Sequence, residues 1–188
     1  MNKEAKSDQS DNILIRAFQR GDAASFRDLY ARHKDPAFFY ALNLTRNRYR
    51  AEEVVQDAFL GFLKNVQDFV VSGSFRRYLF AAVRSRAIDE RRRRKTRREE
   101  PFREEIELFE PRNGQSDPGQ AAELRSQVTR ALLALPGEQR EAVVLKIYEG
   151  MTFREIAALV DASENTVASR YRYGIDKLRI RLQRAAGI

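Results

Sequence analysis

Apolar residues recur along most of the chain at spacings of three and four, and no alternating pattern of strand length accompanies them. Such a period is typical of helices with one buried face. The pattern predicts an all-α protein with two small helical domains: a bundle over residues 11–98 and a helix-turn-helix domain over residues 121–188. Residues 99–120 hold three of the five prolines and no sustained apolar period, which predicts a flexible linker.

Four helices are predicted in the first domain. Asp11 and Asp22 are in position to cap the first two, and Gly21 is expected to end the first. Pro36 is expected to kink or break the second helix, because proline cannot donate the hydrogen bond of a helix interior. A fourth helix is expected to begin near Phe75 and to run into the arginine block that follows.

The third helix, expected from Ala51, separates apolar from polar positions most clearly. Its apolar residues share one face and leave a set of polar side chains to one side. The buried face is expected to contain Val54, Val55, Ala58, Phe59, Phe62, Leu63 and Val66, and the polar side Glu52, Glu53, Gln56 and Asp57.

The second domain has the pattern of a helix-turn-helix. Pro136 separates its first two helices, and Gly150 is expected to end the second. Thr152 and Glu155 fit a capping box that opens a short third helix, and Ser163 is expected to cap a longer fourth one. The inward faces are expected to contain Leu124, Val128, Leu132 and Leu135 on the first helix, and Val143, Val144, Ile147 and Tyr148 on the second.

A short helix, a three-residue turn and a longer basic helix form the geometry that places a recognition helix in the DNA major groove. Arginine can bond guanine in bidentate fashion, and asparagine suits adenine. An ordinary three-helix packing motif with solvated charges is the other interpretation of this pattern. The face that avoids the buried stripe of the last helix consists of Glu164, Asn165, Ala168, Ser169, Arg170 and Arg172.

Aromatic residues and arginines alternate at the start of the fourth helix. This combination suits a protein that grips a phosphate backbone while stacking on exposed bases. Some of these rings are equally suited to the core, because Tyr78 and Leu79 stand at core spacing from Phe75. The residues concerned are Phe69, Phe75, Tyr78 and Phe80, interleaved with Arg76, Arg77, Arg84 and Arg86.

Charge is distributed unevenly along the chain. The formal net charge of +8 and the pI near 10.0 favour polyanionic partners such as nucleic acid. Residues 11–98 hold 20 basic and 10 acidic side chains, whereas residues 99–120 hold 2 and 7. The linker is therefore acidic, a composition that also suits a solvated, self-repelling spacer.

The composition excludes several kinds of chemistry. The absence of cysteine and the single His33 exclude disulfides, thiolate zinc sites, Cys nucleophiles and multi-His metal sites, so we expect no catalytic residue, metal or cofactor. A carboxylate-metal nuclease using Asp57, Asp68 or Asp89 is disfavoured, because these acids lie on separate helical faces without a Gly-rich phosphate loop. No apolar run approaches the ~18 residues of a membrane span, so we expect a cytoplasmic protein without membrane insertion.

Several short motifs occur in the order and spacing of one known family. They are Arg50-Ala-Glu-Glu-Val-Val-Gln-Asp-Ala-Phe-Leu60, Phe75-Arg-Arg-Tyr-Leu79, Ala87-Ile-Asp89, Leu135-Pro136, Glu155-Ile-Ala157 and Thr166-Val167 with Ser169-Arg170. Together they resemble the extracytoplasmic-function (ECF) sigma factors, the compact two-domain branch of the sigma-70 family. The resemblance covers residues 12–95 and 121–183.

The resemblance implies bacterial core RNA polymerase and promoter DNA as partners, and an anti-sigma protein is a further partner common in the family. The acidic linker would pass through a positively lined polymerase channel. Polymerase contacts would come from Glu52, Glu53, Gln56, Asp57, Phe59 and Leu60. The −10 promoter element would meet Phe69, Phe75, Arg76, Arg77, Tyr78, Arg84, Ser85, Arg91 and Arg92, and the −35 element Ser163, Glu164, Asn165, Thr166, Ala168, Ser169, Arg170, Arg172 and Tyr173.

The chain departs from the family pattern at positions near the DNA. Tyr78 stands where Trp is common, and Ser85 where Asn is common. In the recognition helix Asn165, Ala168 and Tyr173 replace a frequent Gly, a basic residue and an Arg. Base preference therefore cannot be transferred from the family. The alternative function is a stand-alone helix-turn-helix regulator, which would leave the acidic cluster of the third helix unexplained.

Overall fold

The computed structural model describes residues 3–70, 74–97 and 118–185, and all regular structure in these ranges is helical. The helices form two compact units, so the prediction of an all-α protein with two helical domains is confirmed. Unit 1 contains α1 (Lys3–Gln19), α2 (Ala23–Thr45), α3 (Arg48–Lys64), a short 3-10 turn (Val66–Asp68) and α4 (Phe75–Arg97). Unit 2 contains α5 (Pro118–Leu133), α6 (Gly137–Ile147), α7 (Phe153–Val160) and α8 (Glu164–Ala185).

Most of the predicted linker lies outside the described residues. The prediction that it is flexible therefore concerns residues that the structure does not describe. Its last three residues, 118–120, belong to α5, which therefore begins three residues before the predicted start of the second domain. Proline is well suited to this position, because its missing N–H is one that a first helical turn does not use.

The starts of the helices in unit 1 depend on side-chain caps. The Asp22 carboxylate accepts a hydrogen bond from the Ala24 N–H at 3.0 Å, as predicted. Asn47 accepts from the Arg50 N–H at 3.0 Å, so α3 begins before Ala51. The expected cap at Asp11 is wrong. This residue lies inside α1 and is fully buried, because its carboxylate bonds to α2 instead of to its own helix.

A buried polar cluster joins α1 to α2. One oxygen of Asp11 lies 2.7 Å from Nε2 of His33, and the other accepts from Arg32 at 2.6 Å. His33 is 4% exposed, and its ring meets that of Phe75 edge-on at 5.3 Å. The single histidine is therefore a packing residue that fixes α1 against the rest of the unit.

Pro36 lies inside α2. The helix continues past it, so the expectation of a break at Pro36 is wrong. The residues that follow it, Ala37, Tyr40 and Ala41, are fully buried. Packing of this segment offsets the hydrogen bond that proline cannot donate, because tertiary contacts override local propensity. Tyr40 stacks on Phe80 of α4 with ring centres 4.9 Å apart, which ties α2 to α4.

Unit 2 packs around a stripe that the sequence predicts only in part. Ile147 and Tyr148 were expected inside but are 53% and 45% exposed, because α6 ends there and the chain turns through Gly150 at φ +65°. Leu124 is likewise exposed near the start of α5. The core contains Ala131, Leu132, Leu135, Val143 and Leu178, with Val128, Tyr171, Ile175 and Leu182 packed partly against it.

Helices α6 and α8 approach each other closely at Gly174. A Cβ atom on Gly174 would lie 2.8 Å from Cγ2 of Val143 and 3.2 Å from the Gln139 carbonyl oxygen. Both distances are shorter than ordinary carbon contacts of about 3.5–4.0 Å. The separation of these two helices therefore depends on the absence of a side chain at this position.

Candidate functional site

Helix α3 presents an acidic face to solvent. Leu60, at 44% exposure, extends this face at its C-terminal end. Glu52 lies 3.2 Å from Arg48 one turn earlier, and both side chains remain more than half exposed. An exposed pair of this kind is worth at most about 1 kcal/mol, so Glu52 can exchange Arg48 for a basic partner. The exposed acidic face consists of Glu52, Glu53, Gln56, Asp57 and Leu60.

Phe59 does not belong to that exposed face, contrary to its predicted place among the polymerase contacts. It is 3% exposed, and its ring packs edge-on against Tyr30 of α2 at 4.8 Å. Its burial makes it a support for α3. Tyr30 is 41% exposed and lies beside it, so the aromatic ring available at this surface comes from α2. Sequence spacing within α3 gives no signal for Tyr30.

Arginines line the outer face of α4. Arg77, Arg91 and Arg92 are exposed, and Arg76 and Arg84 are half-buried. One side of the helix carries a row of residues spaced seven apart, which is close to two helical turns. The row consists of residues 77, 84 and 91 together with residues 85 and 92. Ser85 is exposed within this row. The row forms a basic strip suited to a phosphate backbone.

Phe75 is fully buried, so the described conformation does not offer its ring for the predicted contact with the −10 element. Its ring centre lies 4.9 Å from that of Phe62, inside the core. Phe69 and Tyr78 are half-buried instead, and their rings meet edge-on at 4.8 Å. We call these two residues the Phe69–Tyr78 pair. They are the rings of the predicted −10 set that keep some surface exposed.

Gln19, the last residue of α1, is a residue that sequence reasoning missed. Its side-chain Nε2 donates to the carbonyl oxygens of Val66, at 2.7 Å, and Phe69, at 3.0 Å. These partners are 47 and 50 residues away along the chain. No local pattern in the sequence could therefore have indicated the contact.

The two helices of the predicted helix-turn-helix have well-formed starts. Thr152 and Glu155 form the reciprocal capping box of α7, with N–H to oxygen distances of 2.9 and 3.2 Å. The Ser163 hydroxyl accepts from the Thr166 N–H at 3.1 Å, as predicted for the start of α8. Val167 is fully buried and anchors α8 on its inner side.

The outer face of α8 collects the residues predicted to meet the −35 element. Arg172 donates to the Ser169 hydroxyl at 3.3 Å. Arg170 is joined to Glu138 of α6, a residue that the sequence analysis did not single out. The exposed residues of the set are Ser163, Glu164, Asn165, Thr166, Arg172 and Tyr173, and the half-buried ones are Ala168, Ser169 and Arg170.

An ion pair and a ring contact connect α3, which carries the acidic face, to α4, which carries the basic strip. Arg50 of α3 pairs with Glu90 of α4, and Phe62 of α3 packs on Phe75 of α4. The guanidinium of Arg86 also lies against Gly61, where a side chain would collide with it. Helices α3 and α4 therefore carry their opposite charges on one packed scaffold.

The described ranges contain neither a metal-ligand cluster nor a helix of membrane-spanning character. Within them, no group of three or more His, Asp or Glu side chains is arranged to hold a metal ion. Among the helices of the same ranges, none combines the length and the apolar character that crossing a membrane requires.

The chain matches two parts of a known family. Residues 29–97 match the model of sigma-70 region 2, and residues 125–178 match that of sigma-70 region 4. The ECF RNA polymerase sigma factor SigL of Mycobacterium tuberculosis is 32% identical over 165 residues, covering 86% of this chain and 91% of SigL. SigK of the same organism is 27% identical over 170 residues, with 89% and 91% covered.

Solved structures show the same fold. Sigma factor RpoE in its complex with the anti-sigma factor NepR, from Bartonella quintana, has a TM-score of 0.69 and 21% identity, over 84% of this chain and 96% of RpoE. CnrH in its complex with the cytosolic domain of CnrY has a TM-score of 0.65 and 26% identity, over 93% and 97%.

Two helical units that match regions 2 and 4 in this order define a sigma factor of the sigma-70 type. Given the similarity to SigL along most of both chains, the protein belongs to the ECF sigma factors. It directs RNA polymerase to promoters and takes part in transcription initiation, in a family whose members are non-enzymatic regulators of transcription. The alternative of a stand-alone regulator is not favoured.

Proposed function

We propose that this sigma factor binds core RNA polymerase through the acidic face of α3, engages the −10 element with α4, and reads the −35 element with α8. The observation that carries the proposal is that unit 1 exposes acids on α3 and arginines on α4. A protein that bound only DNA would gain nothing from an acidic face beside its DNA-binding face, because acidic side chains repel the phosphates of DNA.

At the −10 element, the basic strip of α4 holds the backbone while the Phe69–Tyr78 pair captures one or two bases. Opening roughly ten base pairs forfeits on the order of 14 kcal/mol of stacking, at about 1.4 kcal/mol per step. Stacking one base on an aromatic ring returns only about 1–3 kcal/mol. The sigma factor therefore starts the opening, and contacts made by the polymerase complete it.

At the −35 element, the N-terminal half of α8 enters the major groove and α7 braces it against the backbone. Arg170 and Arg172 are the side chains best suited to guanine, and Asn165 is suited to adenine. The cap at Ser163 leaves other N–H groups of the first turn available for a phosphate.

The proposal also covers the cellular location of the protein and a protein that inhibits it. The protein works in the cytoplasm, where polymerase and promoter DNA are found, and an anti-sigma protein restrains it. The partners in the structures of the RpoE and CnrH chains support the second statement. The passage of the acidic linker through a polymerase channel belongs to the same proposal, although most of its residues lie outside the described ranges.

Run-off transcription with purified core polymerase on a promoter library tests the function. We expect defined transcripts only when the chain is present, and their promoters give the recognised sequence. Permanganate footprinting without core enzyme is the matched control, and it should detect no opening of linear DNA. Occupation of promoter sites by the free protein, together with no effect on core enzyme, would support the stand-alone regulator instead.

A further inference from the structure

We propose that Gln19 is a positioning residue for promoter opening: it fixes the backbone that presents Phe69 to DNA. Its amide nitrogen donates to the Val66 carbonyl at 2.7 Å and to the Phe69 carbonyl at 3.0 Å. Both hydrogens of one side-chain amide are thus used on the 3-10 turn and the residue that follows it. No family model matched by the chain includes α1, because the region 2 match begins at residue 29.

The carbonyls of this turn can accept hydrogen bonds from outside the helix. A three-residue 3-10 helix leaves most of its carbonyls without partners inside the helix. The Val66 carbonyl also accepts from the Phe69 N–H at 3.2 Å, so Gln19 is a second donor to this oxygen. Gln19 bridges the first carbonyl of the turn and the carbonyl of Phe69, so it holds the two ends of this segment at a fixed separation.

The consequence reaches the aromatic pair. The Phe69 ring meets Tyr78 at 4.8 Å and Phe62 at 5.1 Å, and its backbone is the part that Gln19 holds. Without the two hydrogen bonds, the Val66 carbonyl keeps the Phe69 N–H as a partner, but the Phe69 carbonyl turns to water and the backbone at Phe69 samples other directions. The ring then spends less time in the arrangement that receives a base. The inference rests on the proposed role of the Phe69–Tyr78 pair at the −10 element.

The test uses holoenzyme assembled from core polymerase and the full chain. Gln19→Met keeps the length of the side chain and removes both donors, and Gln19→Glu keeps the shape of the amide but replaces the donors with a carboxylate that the two carbonyl oxygens repel. Gln67→Ala is the matched control, because Gln67 is an exposed amide in the same turn. The readouts are affinity for core enzyme, binding to duplex promoter, and opening followed by 2-aminopurine fluorescence.

We expect both Gln19 variants to bind core enzyme and duplex promoter within about twofold of wild type, and to open the promoter about three- to tenfold more slowly, as the loss of one or two hydrogen bonds predicts. A promoter with a pre-melted −10 region should restore transcription to the wild-type level. General damage to the fold would instead lower activity on both templates. The control should behave as wild type in every assay.

Opening at the wild-type rate by either Gln19 variant would overturn the inference, and so would an equal loss on the pre-melted template. An equal loss in Gln67→Ala would also overturn it, since the surface of the turn would then be responsible. Tyr78→Ala separates this inference from the proposed function. If Tyr78→Ala slows opening and the Gln19 variants do not, only the inference fails. If Tyr78→Ala has no effect either, the role of the aromatic pair fails.

Discussion

The guanidinium of Arg170 lies 2.9 Å from the carboxylate of Glu138, so an ion pair joins the recognition helix α8 to the first turn of α6. The Arg170 side chain is 26% exposed and that of Glu138 is 71% exposed. An ion pair this open to solvent contributes at most about 1 kcal/mol to stability. The pair matters for the proposed function, in which Glu138 occupies the same guanidinium that DNA would use.

Removing the charge of Glu138 should therefore strengthen DNA binding. For Glu138→Gln, we expect up to about fivefold tighter binding of holoenzyme to −35 duplex at low salt, because an exposed pair no longer competes. The difference should shrink as salt rises. Glu123→Gln, which removes an exposed acid on α5 near Arg130, is the control and should leave the affinity unchanged. Equal affinities of Glu138→Gln and wild type would contradict the prediction.

Arg170→Ala tests the other side of the pair. If Arg170 makes a bidentate base contact, the substitution should weaken binding of cognate −35 duplex by ~1–3 kcal/mol and leave scrambled duplex nearly unchanged. Fluorescence anisotropy with both duplexes measures the difference. An equal loss on both would mean that Arg170 contacts a phosphate.

Charge reversal on α3 tests polymerase binding. Glu53→Lys with Asp57→Lys should abolish capture of core enzyme, because two exposed attractive charges become repulsive, and should leave helix content by circular dichroism unchanged. Asp28→Lys with Asp35→Lys makes the same change in net charge at exposed positions of α2 and should retain binding. Capture of core enzyme by the α3 variant at the wild-type level would refute this interface.

Two glycine substitutions in unit 2 should have opposite effects. Gly174→Ala introduces a methyl group 2.8 Å from Val143, and overpacking of this kind costs about 1–3 kcal/mol, more than the ~1 kcal/mol gained in helix propensity. Gly137→Ala meets nothing within 4 Å and should raise the free energy of unfolding by roughly 0.5–1 kcal/mol. Denaturant unfolding measures both, and a Gly174→Ala protein as stable as Gly137→Ala would contradict the argument.

The start of α2 should become less stable in acid. The Ser25 hydroxyl and the Ala24 N–H, both donating to Asp22, hold the pKa of its carboxyl below the usual 3.8. The ionised cap therefore stabilises the folded state above pH 3.8, and this contribution is lost as pH falls further through the lowered pKa.

Hydrogen exchange at the first amides of α2, corrected for the intrinsic effect of pH, measures the loss. We expect protection to fall in the wild type below pH 3.8 and to stay nearly level in Asp22→Asn, which keeps an oxygen acceptor without a charge. Asp28→Asn, an exposed acid beyond the cap, should follow the wild type. Identical profiles for wild type and Asp22→Asn would show that the cap does not titrate in this range.

Local rules predict the helices of this protein well. The cap at Asp22, the capping box at Thr152 and Glu155 and the turn before α8 each depend on residues within three positions of one another. Period and capping chemistry therefore suffice to locate them. The same local reading fails at Asp11, because its partners lie on another helix more than twenty residues away.

The residues of the candidate sites also fall into those that local spacing identifies and those that depend on contacts between helices. Periodicity identifies the exposed acids of α3, since a side chain opposite a buried stripe has to face water. It cannot distinguish Phe75 from Tyr78, because both belong to one aromatic run and the burial of Phe75 depends on rings from other helices, Phe62 and His33. Gln19 and Glu138 act across helices, and a single sequence contains no spacing that links them to Phe69 or Arg170.

The Arg50–Glu90 pair and the ring contact between Phe62 and Phe75 make α3 and α4 a single body. If α3 binds polymerase and α4 binds the promoter, as proposed, the polymerase sets the angle at which α4 meets the DNA, and no change of shape inside the unit has to transmit the signal. Substitutions between these two helices would misdirect the protein on DNA even where every residue that touches polymerase or promoter is intact.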